Sequence, residues 1–309
     1  MNKRFIRFIT VLLLFCTLAP LLAVGIPEVS ETSDLALSAA DVRGVTVTLD
    51  HAPKRLVSLS PNITETLFAL GLGEYIVGRT DYCDYPLAAL QIESVGDVLS
   101  PSIEKIVSLN PDLVIMGNKG QAHIALALEQ AHIRAAVFDE EQTMEGTYTL
   151  IRKVGNLTGA VEESQTLIKT MQQEVQQAFQ LVSNGPKPTL YYVTGFGEWG
   201  DFTATGDTYI HDIIELAGAR NIAKDGTNWT FQLEQLLISD PDIIIVAPMW
   251  QASEQETIQA FVTHPSYASL TAIQTGNVIS FADSLLERQG PRSSLAVLTL
   301  ARYISSFYR

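Results

Sequence analysis

Cysteine is almost absent from this 309-residue sequence, which holds only Cys16, inside the first apolar run, and Cys83. One cysteine beyond that run excludes an internal disulfide framework and a cysteine-rich metal site, so the fold must stand on packing. Basic residues are also scarce: 20 Lys and Arg face 34 Asp and Glu, a formal net charge of −14. Nothing basic is left over to neutralise phosphates, which argues against nucleic acid as a partner. Beyond residue 25 no apolar run is long and uncharged enough to span a bilayer. The nucleophile elbow G-x-S-x-G is missing, and no two histidines have the i, i+4 spacing of a helical metal face. Charged residues are only 17% of the chain against 47% hydrophobic, which excludes a disordered protein and supplies ample core.

What is present begins with a leader. Lys3, Arg4 and Arg7 precede the apolar run from Phe8 to Val24, and Ala23-Val24-Gly25 offers small residues for a peptidase. Residues 1–25 therefore read as a signal peptide for export to a periplasmic or extracytoplasmic location. Two alternatives stay open. The run approaches the ~18 residues of a membrane span, so it can be a retained anchor, although Thr10, Thr17 and Pro20 interrupt it. Lipidation at Cys16 is the other, with Phe15 standing where such a signal needs a small residue. Removal of the leader takes away three basic residues and no acidic one, leaving 17 against 34. Residues 26–41 are small, polar and acidic, and read as a flexible spacer.

The remaining length suits two lobes. Arg55 to Leu59 is strand-like, Asn62 to Leu70 has helical spacing with Pro61 and Thr64 at its start, and Tyr75 to Gly78 is strand-like again. That alternation marks a parallel α/β sheet. An internal repeat carries most information. Ile103-Glu104-Lys105-Ile106 through Asn110-Pro111-Asp112-Leu113-Val114-Ile115 matches Leu233-Glu234-Gln235-Leu236 through Asp240-Pro241-Asp242-Ile243-Ile244-Ile245, position for position. Each copy has a short helix with one glutamate, a Pro-Asp stop and an unbroken apolar strand of the kind buried on both faces. Between the copies Ile168, Met171, Val175 and Val182 recur at helical spacing, with Thr158 as cap and Glu162 and Glu163 in the first turn. The division is an N-terminal lobe over 42–158, a linking helix over 159–185 and a C-terminal lobe over 186–309.

Gly195, Gly197 and Gly200 fit G-x-G-x-x-G after the strand-like Thr189 to Thr194, but the next helix starts only around Thr208. A dinucleotide site needs the helix to open at the last glycine, so these read as a loop presenting Phe196, Trp199 and Phe202. A nucleotide-using α/β enzyme is the remote alternative. His51, His123, His132, His211 and His264 are scattered, and a zinc or manganese receptor assembled from distant loops is a second. Cys83, flanked by two aspartates in Asp81-Tyr82-Cys83-Asp84-Tyr85-Pro86, reads as a packing residue rather than a nucleophile. No catalytic constellation appears, and a binding protein is expected rather than an enzyme. Tyr82, Trp199, Phe202, Trp229 and Trp250 fall at strand ends and in the loops after them, where open α/β sheets bind ligands. Arg288 and Arg292, around Gly290-Pro291, can add a charge-assisted contact to an anionic group or cap the final helix. Glu104 and Glu234, at equivalent places in the repeat, suit paired arginines on a two-fold symmetric partner.

Taken in order, Arg55-Leu56-Val57-Ser58-Leu59-Ser60-Pro61-Asn62-Ile63-Thr64-Glu65, Leu70-Gly71-Leu72-Gly73, Asp81 to Pro86 and both Glu-to-Pro-Asp repeats resemble the helical-backbone substrate-binding proteins of ABC importers, in the subgroup for iron complexes and cobalamin. The resemblance implies an α/β fold of two Rossmann-like lobes with parallel sheets, joined by one long helix, with the ligand cleft between them. It implies a cobalt or iron chelate as cargo rather than cofactor: cobalamin first, ferric siderophore or haem beside it. It implies docking of Glu104 and Glu234 on an ABC permease with its ATPase, the membrane being reached only through that permease or through an N-terminal anchor. Tyr82 maps onto a cleft-facing position, and the segment Asp283 to Arg292 onto a loop that often contacts ligand. Val98 and Gly117 depart from cobalamin-binding members, which can carry tryptophan there.

Overall fold

A computed structural model gives the fold and describes residues 37–248, 252–281 and 285–307, with the backbone alone at Lys119 and Trp199. The chain starts with a hairpin of β1 (Leu37–Ala40) and β2 (Thr46–Leu49). This corrects the spacer reading, because strand structure begins at Leu37, inside the stretch expected to be flexible. The signal that was missed is Asp41, whose carboxylate accepts from the amides of Arg43 and Val45 and from the Arg43 guanidinium, closing a turn that small residues do not advertise.

The first sheet has the order β4-β3-β5-β6, all parallel, from β3 (Leu56–Ser58), β4 (Ile76–Arg79), β5 (Leu113–Met116) and β6 (Ala135–Val137). Its helices are α1 (Pro61–Ala69), α2 (Ile103–Ser108), α3 (Ala122–Gln130) and α4 (Met144–Thr158). A 22-residue helix, α5 (Val161–Val182), follows. Thr158 does not cap it. Its hydroxyl bonds back to Val154 inside α4, Gly159 ends α4 in the left-handed conformation, and Ala160 stands at the N-cap of α5.

The second sheet runs β11-β10-β7-β8, with β9 also on β7; only β8 is antiparallel. Its strands are β7 (Thr189–Gly195), β8 (Phe202–Thr203), β9 (Arg220–Asn221), β10 (Ile243–Val246) and β11 (Val278–Ile279). Around them lie α6 (Tyr209–Leu216), α7 (Leu233–Ser239), α8 (Glu254–Val262), α9 (Thr271–Gln274) and α10 (Ser293–Phe307).

The repeat is structural as well as sequential. Strands β5 and β10 are buried along their whole length, as unbroken apolar runs in covered parallel sheets should be. Asn110 and Asp240, the equivalent residues that precede each proline, both have positive φ, at 44° and 36°. The aspartate after each proline clips the neighbouring strand. Asp112 accepts from the amides of Lys54 and Arg55 ahead of β3, and Asp242 from the amide and hydroxyl of Thr189 at the start of β7.

The lobes share more than a connecting helix. One continuous hydrophobic core takes in Leu56, Ile63 and Ile151 from the first lobe, Ile168 and Met171 from α5, and Leu190, Ile213 and Val297 from the second. The opposite faces of the two sheets carry separate cores, around Val57 and Val114 in one and Tyr191 and Val246 in the other. Because close-packed interiors resist deformation, a shared core restricts the lobes to small relative motions.

Candidate functional site

The carboxyl ends of β3, β5 and β6 open onto a cavity of about 320 Å³ whose far wall is Glu287, Arg288 and Gln289 of the second lobe. Parallel topology dictates the first wall, since every strand of that sheet points its carboxyl end, and the loop after it, the same way. Asn62 is the second residue of α1, the helix after β3, Gly117 and Asn118 follow β5, and Asp139 and Glu140 come after β6. At Gly117 an added Cβ would lie 2.3 Å from the side-chain oxygen of Asn62, so a side chain there would have to displace that amide. The amide of Asn62 thus takes up the space at a position where cobalamin-binding members can carry an aromatic ring.

Hydrogen bonds strap the far wall to the first lobe. Gln289 donates its side-chain amide to the carbonyls of Glu141 and Thr143, at 2.7 and 3.2 Å. Arg288 donates from Nη1 to Glu65 at 3.1 Å and to Asp84 at 2.5 Å. Arg292 grips both oxygens of Glu65 and lies 3.9 Å over the Tyr85 ring, a cation–π contact. Burial works against both guanidinium charges, but their carboxylate partners outweigh it and hold Arg288 and Arg292 above their ordinary range. Burial likewise pulls the Asp84 carboxyl upward, and the hydrogen bond and charge of Arg288 more than reverse it, leaving Asp84 below its ordinary range.

Of the residues expected at the site, Arg288 lines this cavity, while Tyr82, Phe202 and Trp229 do not. Two carboxylates, Glu65 and Asp84, already engage Arg288. Tyr82 is 54% exposed on the loop that carries Asp84. Phe202 and Trp229 come together: β8 bridges to Thr230, and Thr203 donates its amide to the Trp229 carbonyl. Asn228 and Trp229 both have positive φ, 56° and 62°, and each is anchored, the Asn228 amide to Asp207 and the Trp229 amide to Thr205 Oγ1. Two such residues in succession cost on the order of 1–3 kcal/mol each, so a tightly bonded loop holds Trp229 in place, 41% exposed. The side chain of Trp199 and all of Trp250 lie outside the described residues.

The glycine motif has a packing role. An added Cβ at Gly195 or Gly200 would meet the Phe202 ring at 2.9 or 3.3 Å. No helix opens at Gly200, and α6 begins only after Thr208, whose hydroxyl caps it. The histidines lie apart: His211 is beside Asn221, His264 caps Ser266, and His123 reaches the Gly120 carbonyl. Among the described residues no three His, Cys, Asp or Glu side chains gather as a metal-holding group. Cys83 is buried with its sulfur 3.3 Å from the Thr80 hydroxyl. Sequence reasoning missed Asn62, Asn118 and Asp139, although all three lie within four residues of a strand's carboxyl end and the strand-end rule that selected the aromatics would have found them.

A family model described as periplasmic binding protein matches residues 56–285. The chain belongs to the periplasmic binding protein family. It is 28% identical over 272 residues to an uncharacterised ABC transporter substrate-binding lipoprotein, YvrC of Bacillus subtilis, covering 85% of this chain and 84% of the relative. It is 27% identical over 278 residues to a cobalamin-binding protein of Halobacterium salinarum, covering 87% and 73%. Among solved structures, the periplasmic heme-binding protein RhuT of Roseiflexus sp. RS-1 superposes with a TM-score of 0.73 at 25% identity, covering 83% of this chain and 99% of that one. Membership makes this an extracytoplasmic substrate-binding protein of the ABC-importer type, with the α/β fold of parallel sheets and a long helix that the resemblance implied.

Proposed function

We propose that the chain captures a metal chelate in the inter-lobe cleft, a corrinoid first and a ferric siderophore or haem beside it, and passes it chemically unaltered to a permease driven by its ATPase. The observation that carries this reading is the cavity at the strand ends of one lobe, closed by residues 287–289 of the other. At about 320 Å³ the cavity is near the lower end of the ~300–1,000 Å³ usual for ligand pockets, so a macrocycle would insert one edge and leave the rest to the rim. Tyr82, Phe202 and Trp229, together with Trp199 and Trp250, are the aromatic residues we assign to that rim. Relatives named for cobalamin and heme support a chelate of this size.

Glu104 and Glu234 support delivery. Both are exposed, both are the second residue of a short helix, and both precede a fully buried strand. One carboxylate per lobe fits paired arginines on a two-fold symmetric permease. Residues 1–25 would direct export and be removed.

Quenching of tryptophan fluorescence, titrated with cyanocobalamin, ferric siderophores and haemin, tests the reading. Saturable binding of one of them with the chelate recovered intact supports it. Recovery of an altered ligand, or binding of none, contradicts it.

A further inference from the structure

The two helices that carry Glu104 and Glu234 are alike in more than their carboxylates. Ile103 and Ile106 of α2 pack into the core on one face of the first sheet, and Leu233 and Leu236 of α7 into that of the second. These inward residues already supply the apolar face that a short helix needs to hold its place. The outward face nevertheless carries aliphatic residues again. Val107 and Leu237, each three positions after its glutamate, are both exposed, and Ile238, four positions after Glu234, is 85% exposed. Residues three and four apart meet on one helix face, so each carboxylate stands beside exposed aliphatic surface. Among the described residues neither carboxylate is engaged in an ion pair. The copies differ on this face at Ser108, the equivalent of Ile238, whose hydroxyl donates back to the Lys105 carbonyl. Ile238 also borders a cavity of about 690 Å³ together with Ile222 and Phe231, a recess with room for a partner's side chain.

We propose that each glutamate docks on the permease from within an aliphatic patch, and that the second lobe, through Ile238, carries the larger share of the docking strength. The proposal rests on the reading of Glu104 and Glu234 as docking residues and deepens it by naming the contact surface around them. A single exposed aliphatic side chain is ordinary, but the same patch at equivalent places in two lobes fits a partner that presents one surface twice. A two-fold symmetric permease with paired arginines is such a partner, and the unpaired carboxylates supply the charge complementarity. Val107, Leu237 and Ile238 shut water out of the charged contacts, as the surround of a strong interface contact does. Covering a largely exposed isoleucine adds an attraction of its own, which Ser108 cannot match.

The experiment measures binding of the purified chain to nanodiscs of phosphatidylethanolamine and phosphatidylglycerol that hold the permease and ATPase. Ile238→Ser, an exposed substitution that copies the first lobe, should weaken docking ~10-fold or more while the melting temperature stays unchanged. A two-fold partner offers the same surface to either lobe, so the exchange variant Ser108→Ile, Ile238→Ser should dock more tightly than Ile238→Ser alone. The double variant Glu104→Ala, Glu234→Ala is measured beside them. Docking weakened by the glutamate variant but unmoved by Ile238→Ser, or no gain from Ser108→Ile, overturns the proposal and leaves the docking reading standing. Docking unmoved by any of the variants overturns both. Equal retention of the chain by nanodiscs without the permease, or a dimer in solution that Ile238→Ser dissociates, assigns the patch to lipid or to a second copy and overturns the proposal as well.

Discussion

Arg292 donates from Nε and Nη2 to the two carboxylate oxygens of Glu65, at 2.7 and 2.8 Å, across the junction between the lobes. Glu65 is almost fully buried, at 2% side-chain exposure, and it also holds Arg288. Replacing Glu65 by Ala takes away the carboxylate that two largely buried guanidiniums share. Breaking a buried pair in this way costs ~3–5 kcal/mol. Denaturant unfolding of Glu65→Ala should show a loss of that size, with a smaller loss for Glu65→Gln; a loss under ~1 kcal/mol would mean that the network contributes little to lobe assembly.

The Asp84–Arg288 pair gives a sign for the effect of pH. The Asp84 carboxyl is held below its ordinary range, so its contribution is fully present above the unfolded pKa, ~3.9 for Asp, and is lost as pH falls through the lower folded value. Asp84 is 57% exposed, so solvent screening keeps the effect small. The Tm difference between the unaltered protein and Asp84→Asn should be flat from pH 8 to about pH 5 and shrink below about pH 4. A difference that changes around neutrality would assign the titration to another group.

Trp229 separates stability from binding. Its left-handed backbone is one that glycine adopts without cost. Trp229→Gly should therefore keep or slightly raise the melting temperature while weakening chelate affinity by ~10-fold or more, the scale of a buried aromatic contact. Unchanged affinity would remove Trp229 from the rim.

Asp112 and Asp242 perform the same task in the two lobes, each accepting from donors of the neighbouring strand segment. Alanine at either position should cost ~1–3 kcal/mol, since hydrogen bonds to a charged acceptor are among the stronger ones. Urea midpoints of the two single variants check this, and a marked inequality would break the equivalence of the repeats.

The strand-helix alternation and the repeat were legible because burial on two faces demands unbroken apolar runs such as Leu113-Val114-Ile115 and Ile243-Ile244-Ile245. The hairpin at Leu37 was not, because Ala39 and Ala40 carry no periodic signal and the Asp41 turn depends on hydrogen bonds. At the site, Arg288 could be placed at the cleft from its segment, but its two carboxylate partners lie over 200 positions away and no local pattern announces them. The role of Gly195 and Gly200 as clearance for Phe202 is equally a matter of three dimensions.

Capture and delivery come apart most cleanly at Glu104 and Glu234. Both are exposed, so replacing them with Ala should leave the isolated fold and its chelate affinity nearly unchanged. Each docking contact to a permease arginine is worth on the order of 1–3 kcal/mol, so losing both should weaken docking by ~30-fold or more. The decisive measurement is chelate uptake by vesicles that hold the permease and ATPase, supplied with the Glu104→Ala, Glu234→Ala double variant, with chelate affinity measured on the same sample. The account predicts affinity within about twofold of the unaltered protein and uptake reduced at least ~10-fold, as the removal of two charge-assisted hydrogen bonds requires. Normal uptake at normal affinity would contradict it.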